Sequence, residues 1–195
     1  MRSTWTSCWR SASPSRRPPD ASAAAIVAAA GSGERLGTGG PKALVELAGR
    51  PLLDWSLDAL GASQRVGQIV VAVPPGEEAQ VQRDGVEVVA GGASRSESVA
   101  AAFAQLDAEV VVVHDAARPL VTAELVDAVI DDLLDDPEAG AVVAAAPVTD
   151  TIKQVARGME VDRTLDRSSL WAAQTPQAFR AEALREALAS TELLA

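Results

Sequence analysis

Short, uninterrupted runs of small or branched apolar residues recur along this sequence, and they constrain the fold more than any other feature. Residues 23–30 read AAAIVAAA, a run with no polar face. A strand of that kind must be covered on both sides, as in a parallel sheet. Residues 68–73 (QIVVAV), 86–90, 109–113 and 141–146 carry further strand runs. Segments of helical period lie between them. Leu53, Leu57 and Leu60 share one face over residues 51–60. Ser94, with Glu97 three residues on, forms a capping box, and Val99, Phe103 and Leu106 continue a helix. Thr122 can cap a helix with Leu125, Val126, Val129, Ile130, Leu133 and Leu134 on one side. Residues 180–190 read as a last helix. Strands alternating with helices predict an α/β fold in three layers, with a mostly parallel sheet and right-handed crossovers. Ligands in such folds bind beyond the carboxyl ends of the strands. The loops that directly follow strands are therefore where chemistry is expected.

A length of 195 residues fits one domain with a substantial core. The lone cysteine, Cys8, excludes a disulfide framework and a cysteine zinc site. No apolar run approaches the roughly 18 residues that a membrane span needs. The net charge is −10, unevenly placed. Residues 1–20 hold Arg2, Arg10, Arg16 and Arg17 against Asp20, a net of +3, which leaves −13 on the rest. An acidic body argues against nucleic-acid binding, which needs Lys and Arg on phosphates. Only two lysines occur, Lys42 and Lys153. Residues 1–22 are rich in Ser, Arg and Pro, without an apolar period or a secretory core. They read as a disordered or misassigned N-terminal extension, with an organellar transit segment as the other reading. Trp5 and Trp9 are expected outside the core.

Three loops stand out. Residues 31–42 (GSGERLGTGGPK) hold five glycines among the first ten. Without Cβ atoms the backbone can approach a ligand, and successive N–H groups can make an anion-binding concavity. Arg35 and Lys42 add positive charge, so phosphate is the natural guest. A Walker A loop would need Ser or Thr after Gly-Lys, and here Pro41-Lys42-Ala43 stands. A dinucleotide loop would need its third glycine one place earlier and a helix opening at once. The second loop, Gly91-Gly92-Ala93-Ser94-Arg95-Ser96-Glu97-Ser98, suits a base edge or a phosphate, or plain turn-and-cap chemistry. The third, His114-Asp115-Ala116-Ala117-Arg118-Pro119, puts a carboxylate at a strand end, where Mg²⁺ could be met. Arg118 could clamp a phosphate. An Asp–Arg pair tying down the loop is the alternative. His114 reads as a hydrogen-bonded structural residue, not a base. Asp131, Asp132, Asp135, Asp136 and Glu138 match no calcium loop and read as a solvated acidic face.

In order along the chain, these loops, Asp-Thr-Ile-Lys at 150–153 and Asp-Arg-x-x-Leu-Trp-x-x-Gln-Thr-Pro-Gln at 166–177 resemble one family. It is the 2-C-methyl-D-erythritol 4-phosphate cytidylyltransferases of non-mevalonate isoprenoid synthesis. The likeness covers about residues 23–190 and implies a Rossmann-like nucleotidyltransferase fold with a protruding β-arm at about 148–170. It also implies transfer of CMP from CTP to methylerythritol phosphate, with Mg²⁺ as cofactor, in a cytoplasmic homodimer joined through the arm. Ala28, Ala29, Ala30, Gly31, Ser32 and Gly33 would wrap the nucleotide. Arg35, Lys42 and Arg167 would be catalytic, with Lys42 also on the nucleotide. Gly91, Gly92, Arg95, Ser98, Asp115 and Ala116 would complete the nucleotide site. Asp115 would hold the metal. Asp115, Arg118, Thr151, Arg167 and Thr175 would bind the acceptor, with Thr151 and Arg167 reaching into the partner subunit. No nucleic acid or membrane is implied. The family continues past the helix at 180–190 with a strand, a helix and a Lys-bearing loop, which are expected to be missing here. A ribitol-5-phosphate cytidylyltransferase and a truncated nucleotide-binding protein without turnover are the alternatives. Ala116-Ala117 and Gln174 to Gln177 favour methylerythritol phosphate.

Overall fold

The computed structural model describes residues 23–31, 42–156 and 158–190. The extension at 1–22 and most of the glycine-rich loop lie outside these residues. Strand β1 (Ala23–Ala28) is followed by a two-strand hairpin, β2 (Glu46–Leu47) and β3 (Arg50–Pro51). Its two-residue turn puts both Ala48 (φ 55°) and Gly49 (φ 77°) in the left-handed region, matching the twist of the flanking strands. Helix α1 (Leu52–Ala62), β4 (Val66–Val73), β5 (Val86–Ala90) and α2 (Arg95–Phe103) follow. Next come β6 (Val110–Asp115), α3 (Ala123–Asp135) and β7 (Ala141–Pro147). A second hairpin, β8 (Lys153–Val155) and β9 (Val161–Thr164), precedes β10 (Trp171–Arg180) and α4 (Ala181–Ala189).

Six strands form the central sheet, in the order β5-β4-β1-β6-β10-β7. β1 lies parallel between β4 and β6, with Ile26 opposite Val70 and Val113. β1 is buried on both faces, as its unbroken apolar run predicts. Alternate residues divide between two helical layers. Ala25, Val27, Val71 and Val112 face α1 and α3, meeting Leu53, Leu57, Ile130 and Leu133. Ile26, Val70, Val111 and Val113 face α2 and α4, meeting Val99, Ala102 and Leu184. This is the expected three-layer α/β/α arrangement. Both predicted caps form. Ser94 Oγ accepts from Glu97 N–H at 3.1 Å in a full capping box, and Thr122 Oγ1 accepts from Leu125 N–H at 3.3 Å.

One core element is absent from the sequence reading. β10 runs antiparallel between β6 and β7, with Ala178 opposite Val112 on one side and Val142 on the other. Its pairing with β7 breaks between Ala173 and Gln177. The first strand is also two residues shorter than the apolar run, ending at Ala28. The acidic stretch is partly engaged. Asp131 pairs with the buried Arg65 at 2.6 Å. Arg180 donates to the carbonyls of Leu133, Ala139 and Asp136 at 3.0–3.1 Å, closing the end of α3.

Candidate active site

The three loops singled out from the sequence gather at the carboxyl ends of β1, β5 and β6. Main-chain bonds tie them together. Ala29 N–H donates to the Ala72 carbonyl at 2.8 Å, and Ala116 N–H to the Ala28 carbonyl at 3.1 Å. Gly91 N–H donates to the Val73 carbonyl at 2.7 Å. The first loop thus leaves β1 flanked by the other two. Gly31 is exposed, and among the described residues a Cβ there would meet nothing within 4 Å. Lys42 opens a short 3-10 turn, Lys42–Leu44. Ser32, Gly33 and Arg35 lie outside the described residues.

The second loop is built by its own helix start. A Cβ at Gly91 would lie 2.6 Å from the Ala30 Cβ, and one at Gly92 2.3 Å from the Glu97 Cβ. Both glycines are therefore required by close packing, the first against the β1 loop itself. Glu97 Oε2 accepts from Ala93 N–H at 2.7 Å. The buried Ser98 hydroxyl donates to the Ser94 carbonyl at 2.9 Å and accepts from Gly92 N–H at 3.1 Å. Ser98 shapes the loop from inside, whatever the loop then binds.

Asp115 is the electrostatic centre of the third loop. Arg95 Nε donates to its Oδ1 at 2.8 Å, and Arg118 Nε lies 3.6 Å from its Oδ2. Each guanidinium also meets a glutamine of β10. Arg95 bonds Gln177 Oε1 at 3.4 Å, and Arg118 bonds Gln174 Oε1. The break in β10 turns these residues toward the end of β6. Thr175, 7% exposed, accepts from Asp115 N–H at 3.2 Å and contacts His114 Nδ1 at 3.0 Å. His114 has no exposed surface, and burial pushes its pKa down to about 4, so the ring is neutral at pH 7. That agrees with a structural histidine rather than a base. The two glutamines carried no role in the sequence reading. Only their place in the Gln-Thr-Pro-Gln motif could have pointed to them.

No group of three or more His, Cys, Asp or Glu side chains able to hold a metal occurs among the described residues. Asp115 offers one carboxylate, which fits Mg²⁺ held chiefly by substrate phosphates and waters. Arg167 is exposed on a 3-10 turn whose cap, Asp166, accepts from Ser168 N–H at 3.0 Å, and it donates to the Thr149 carbonyl at 2.5 Å. Among the described residues no hydrogen bond or ion pair joins Arg167 or Thr151 to Asp115. The β8–β9 hairpin beside them is exposed along its length, with Val155, Met159 and Val161 at 50%, 83% and 58%. No described helix is long and apolar enough to cross a membrane.

Comparison with known proteins places this geometry. The family model described as 2-C-methyl-D-erythritol 4-phosphate cytidylyltransferase (IspD) matches residues 23–194. The cytidylyltransferase of that name from Frankia casuarinae is 49% identical over 175 residues, covering 87% of this chain and 65% of its own length. That of Saccharopolyspora erythraea is 46% identical over 184 residues, covering 87% of this chain and 80% of its own length. The solved 4-diphosphocytidyl-2C-methyl-D-erythritol synthase of Anaerococcus prevotii superposes with a TM-score of 0.73 at 28% identity, covering 87% of this chain and 76% of its own. The chain thus spans about two thirds to four fifths of the length of these relatives. On the match over residues 23–194, it belongs to the 2-C-methyl-D-erythritol 4-phosphate cytidylyltransferase family.

Proposed function

We propose that this chain transfers CMP from CTP to 2-C-methyl-D-erythritol 4-phosphate. A phosphate oxygen of the acceptor attacks the α-phosphorus of CTP, the bond to the β-phosphate breaks, and pyrophosphate leaves. The product is 4-diphosphocytidyl-2-C-methyl-D-erythritol. Such a reaction needs two polyanions aligned and their charge neutralised, with little covalent help from the protein. The observation that carries the reading is Asp115 held between Arg95 and Arg118, between the loops of β1 and β5. Exposed pairs of this kind hold by only about 0–1 kcal/mol, so both guanidiniums are available to incoming phosphates.

In this reading the main chain from Ala28 to Gly33 wraps the triphosphate, and Gly91, Gly92 and Ala116 line the nucleotide side. Arg35 and Lys42 neutralise charge on the reacting phosphates. Asp115 would hold Mg²⁺, which would supply charge screening of the phosphates. Arg118 and the Thr175 region hold the acceptor phosphate. Arg167 and Thr151 complete the site of a second copy, the arms joining a homodimer whose exposed Val155 and Val161 are then covered. The protein is a cytoplasmic enzyme with neither nucleic acid nor membrane as partner.

The test is pyrophosphate release by this chain with CTP, Mg²⁺ and methylerythritol phosphate, beside ribitol 5-phosphate. Release with the first acceptor and not the second supports the reading. CTP binding without release, by calorimetry, overturns the assignment of turnover.

A further inference from the structure

We propose that His114 is a positioning residue for the acceptor side of the site. Its ring ties the Asp115–Arg118 turn of β6 to Thr175 of β10 through a single tautomer. The inference rests on the functional reading above.

The hydrogen bonds close a ring. Asp115 N–H donates to Thr175 Oγ1 at 3.2 Å. The Thr175 hydroxyl, which has one proton, lies 3.0 Å from His114 Nδ1. His114 Nε2 lies 3.2 Å from the Arg118 carbonyl, which can only accept. The carbonyl therefore requires Nε2–H, and a neutral ring then carries a lone pair at Nδ1. The Thr175 hydroxyl must donate to it. Arg118 N–H donates back to the Asp115 carbonyl at 3.0 Å. Every member has its partner, and the direction of the two bonds to the ring follows from the histidine tautomer.

The ring fixes function-bearing groups on two elements at once. Asp115 and Arg118 leave the end of β6, while Gln174, Thr175 and Gln177 come from the interrupted stretch of β10. The main-chain ladder between β6 and β10 starts only at Gln177 opposite Val113. Beyond it, His114 and Thr175 are the buried side chains that join the two strands. Loss of the ring lets the Arg118 turn move relative to β10. A misplacement of about 1 Å at a reacting centre costs on the order of 10²-fold in rate.

The sequence holds one histidine, so its ring nitrogens can be read directly in untagged, nitrogen-15-labelled protein. Long-range proton–nitrogen correlation at pH 7 should show an unprotonated Nδ1 and a protonated Nε2. Thr175→Val should shift the Nδ1 resonance. The opposite tautomer, an imidazolium, or an Nδ1 resonance indifferent to Thr175→Val overturns the clamp, with no recourse to activity. For positioning, His114→Leu keeps the apolar bulk and removes both bonds. His114→Asn keeps an acceptor near Nδ1, and His114→Gln a donor near Nε2. His114→Leu should lose about 10–100-fold in kcat and raise KM for the acceptor, leaving KM for CTP near wild type. The two amide variants should fall between. If His114→Leu turns over like wild type, or if both KM values rise together with a collapse in Tm, the positioning role is wrong. Should the wild-type protein release no pyrophosphate, the functional reading is what fails, and the spectrum alone decides the clamp.

Discussion

Asp115, Arg95 and Arg118 are all partly solvent-exposed, and that governs how they can act. Weak, screened pairs hold the arginines in place, and in the proposed reaction would release them cheaply to a phosphate, which a planar guanidinium fork can bind in two contacts. Lysine is used differently. Arginine has displaced lysine almost everywhere in the sequence, and Lys42 directly follows the glycine-rich run in the chain. A compact ammonium suits charge on a moving phosphate. Lys42→Ala should keep the far-ultraviolet dichroism and thermal midpoint, and lose about 10²–10³-fold in pyrophosphate release. At this scale the sequence was informative where the loop residues are close along the chain. Asp115, Arg118 and the Gly91-Gly92 turn could all be singled out as local patterns. The bond between His114 and Thr175 joins residues 61 apart, and no local pattern encodes it. The sequence did mark His114 as structural. Its partners needed the fold.

Helix α3 shows how an element can be stabilised from outside itself. Its last turns carry Asp131, Asp132 and Asp135, the wrong sign for the negative end of a helix. Arg180, from the far end of β10, covers that end with three carbonyl contacts. Charged hydrogen bonds of this kind contribute about 1.5–3 kcal/mol each at most, and partial exposure reduces them. Arg180→Met should lower unfolding stability by about 1–3 kcal/mol in urea titration. Because Arg180 lies opposite Val110, at the other end of β6 from Asp115, turnover per folded molecule should persist. The helices and four of the five strands read from the sequence came within a few residues of their observed bounds, and the fifth, β1, ended two residues short. β10 did not emerge at all, for a physical reason. Its sequence, WAAQTPQAFR, lacks a clean alternation and carries Pro176, which a central strand does not ordinarily tolerate. The structure resolves the conflict by placing that proline where the ladder with β7 is interrupted.

Across the whole molecule, the arm and the sheet behave differently. An isolated two-stranded hairpin is marginal in water, and β8–β9 exposes Val155, Met159 and Val161. In the proposed homodimer a second copy would cover them. Val155→Ser combined with Val161→Ser should weaken self-association in sedimentation velocity and reduce turnover in parallel. Equal turnover in a variant that sediments as a monomer would sever the arm from catalysis. The sheet has a different dependence, set by the order in which the chain is made. A ribosome delivers β6 and β7 well before the strand that separates them. Until β10 arrives, each presents an open inner edge with unpaired amides and carbonyls, the surface through which nascent chains stick to one another. Closure of the sheet and arrival of Thr175 beside His114 are then one event. The last strand into the core would also complete the proposed acceptor site, so under that proposal a chain that has not finished folding has no place to hold the acceptor phosphate.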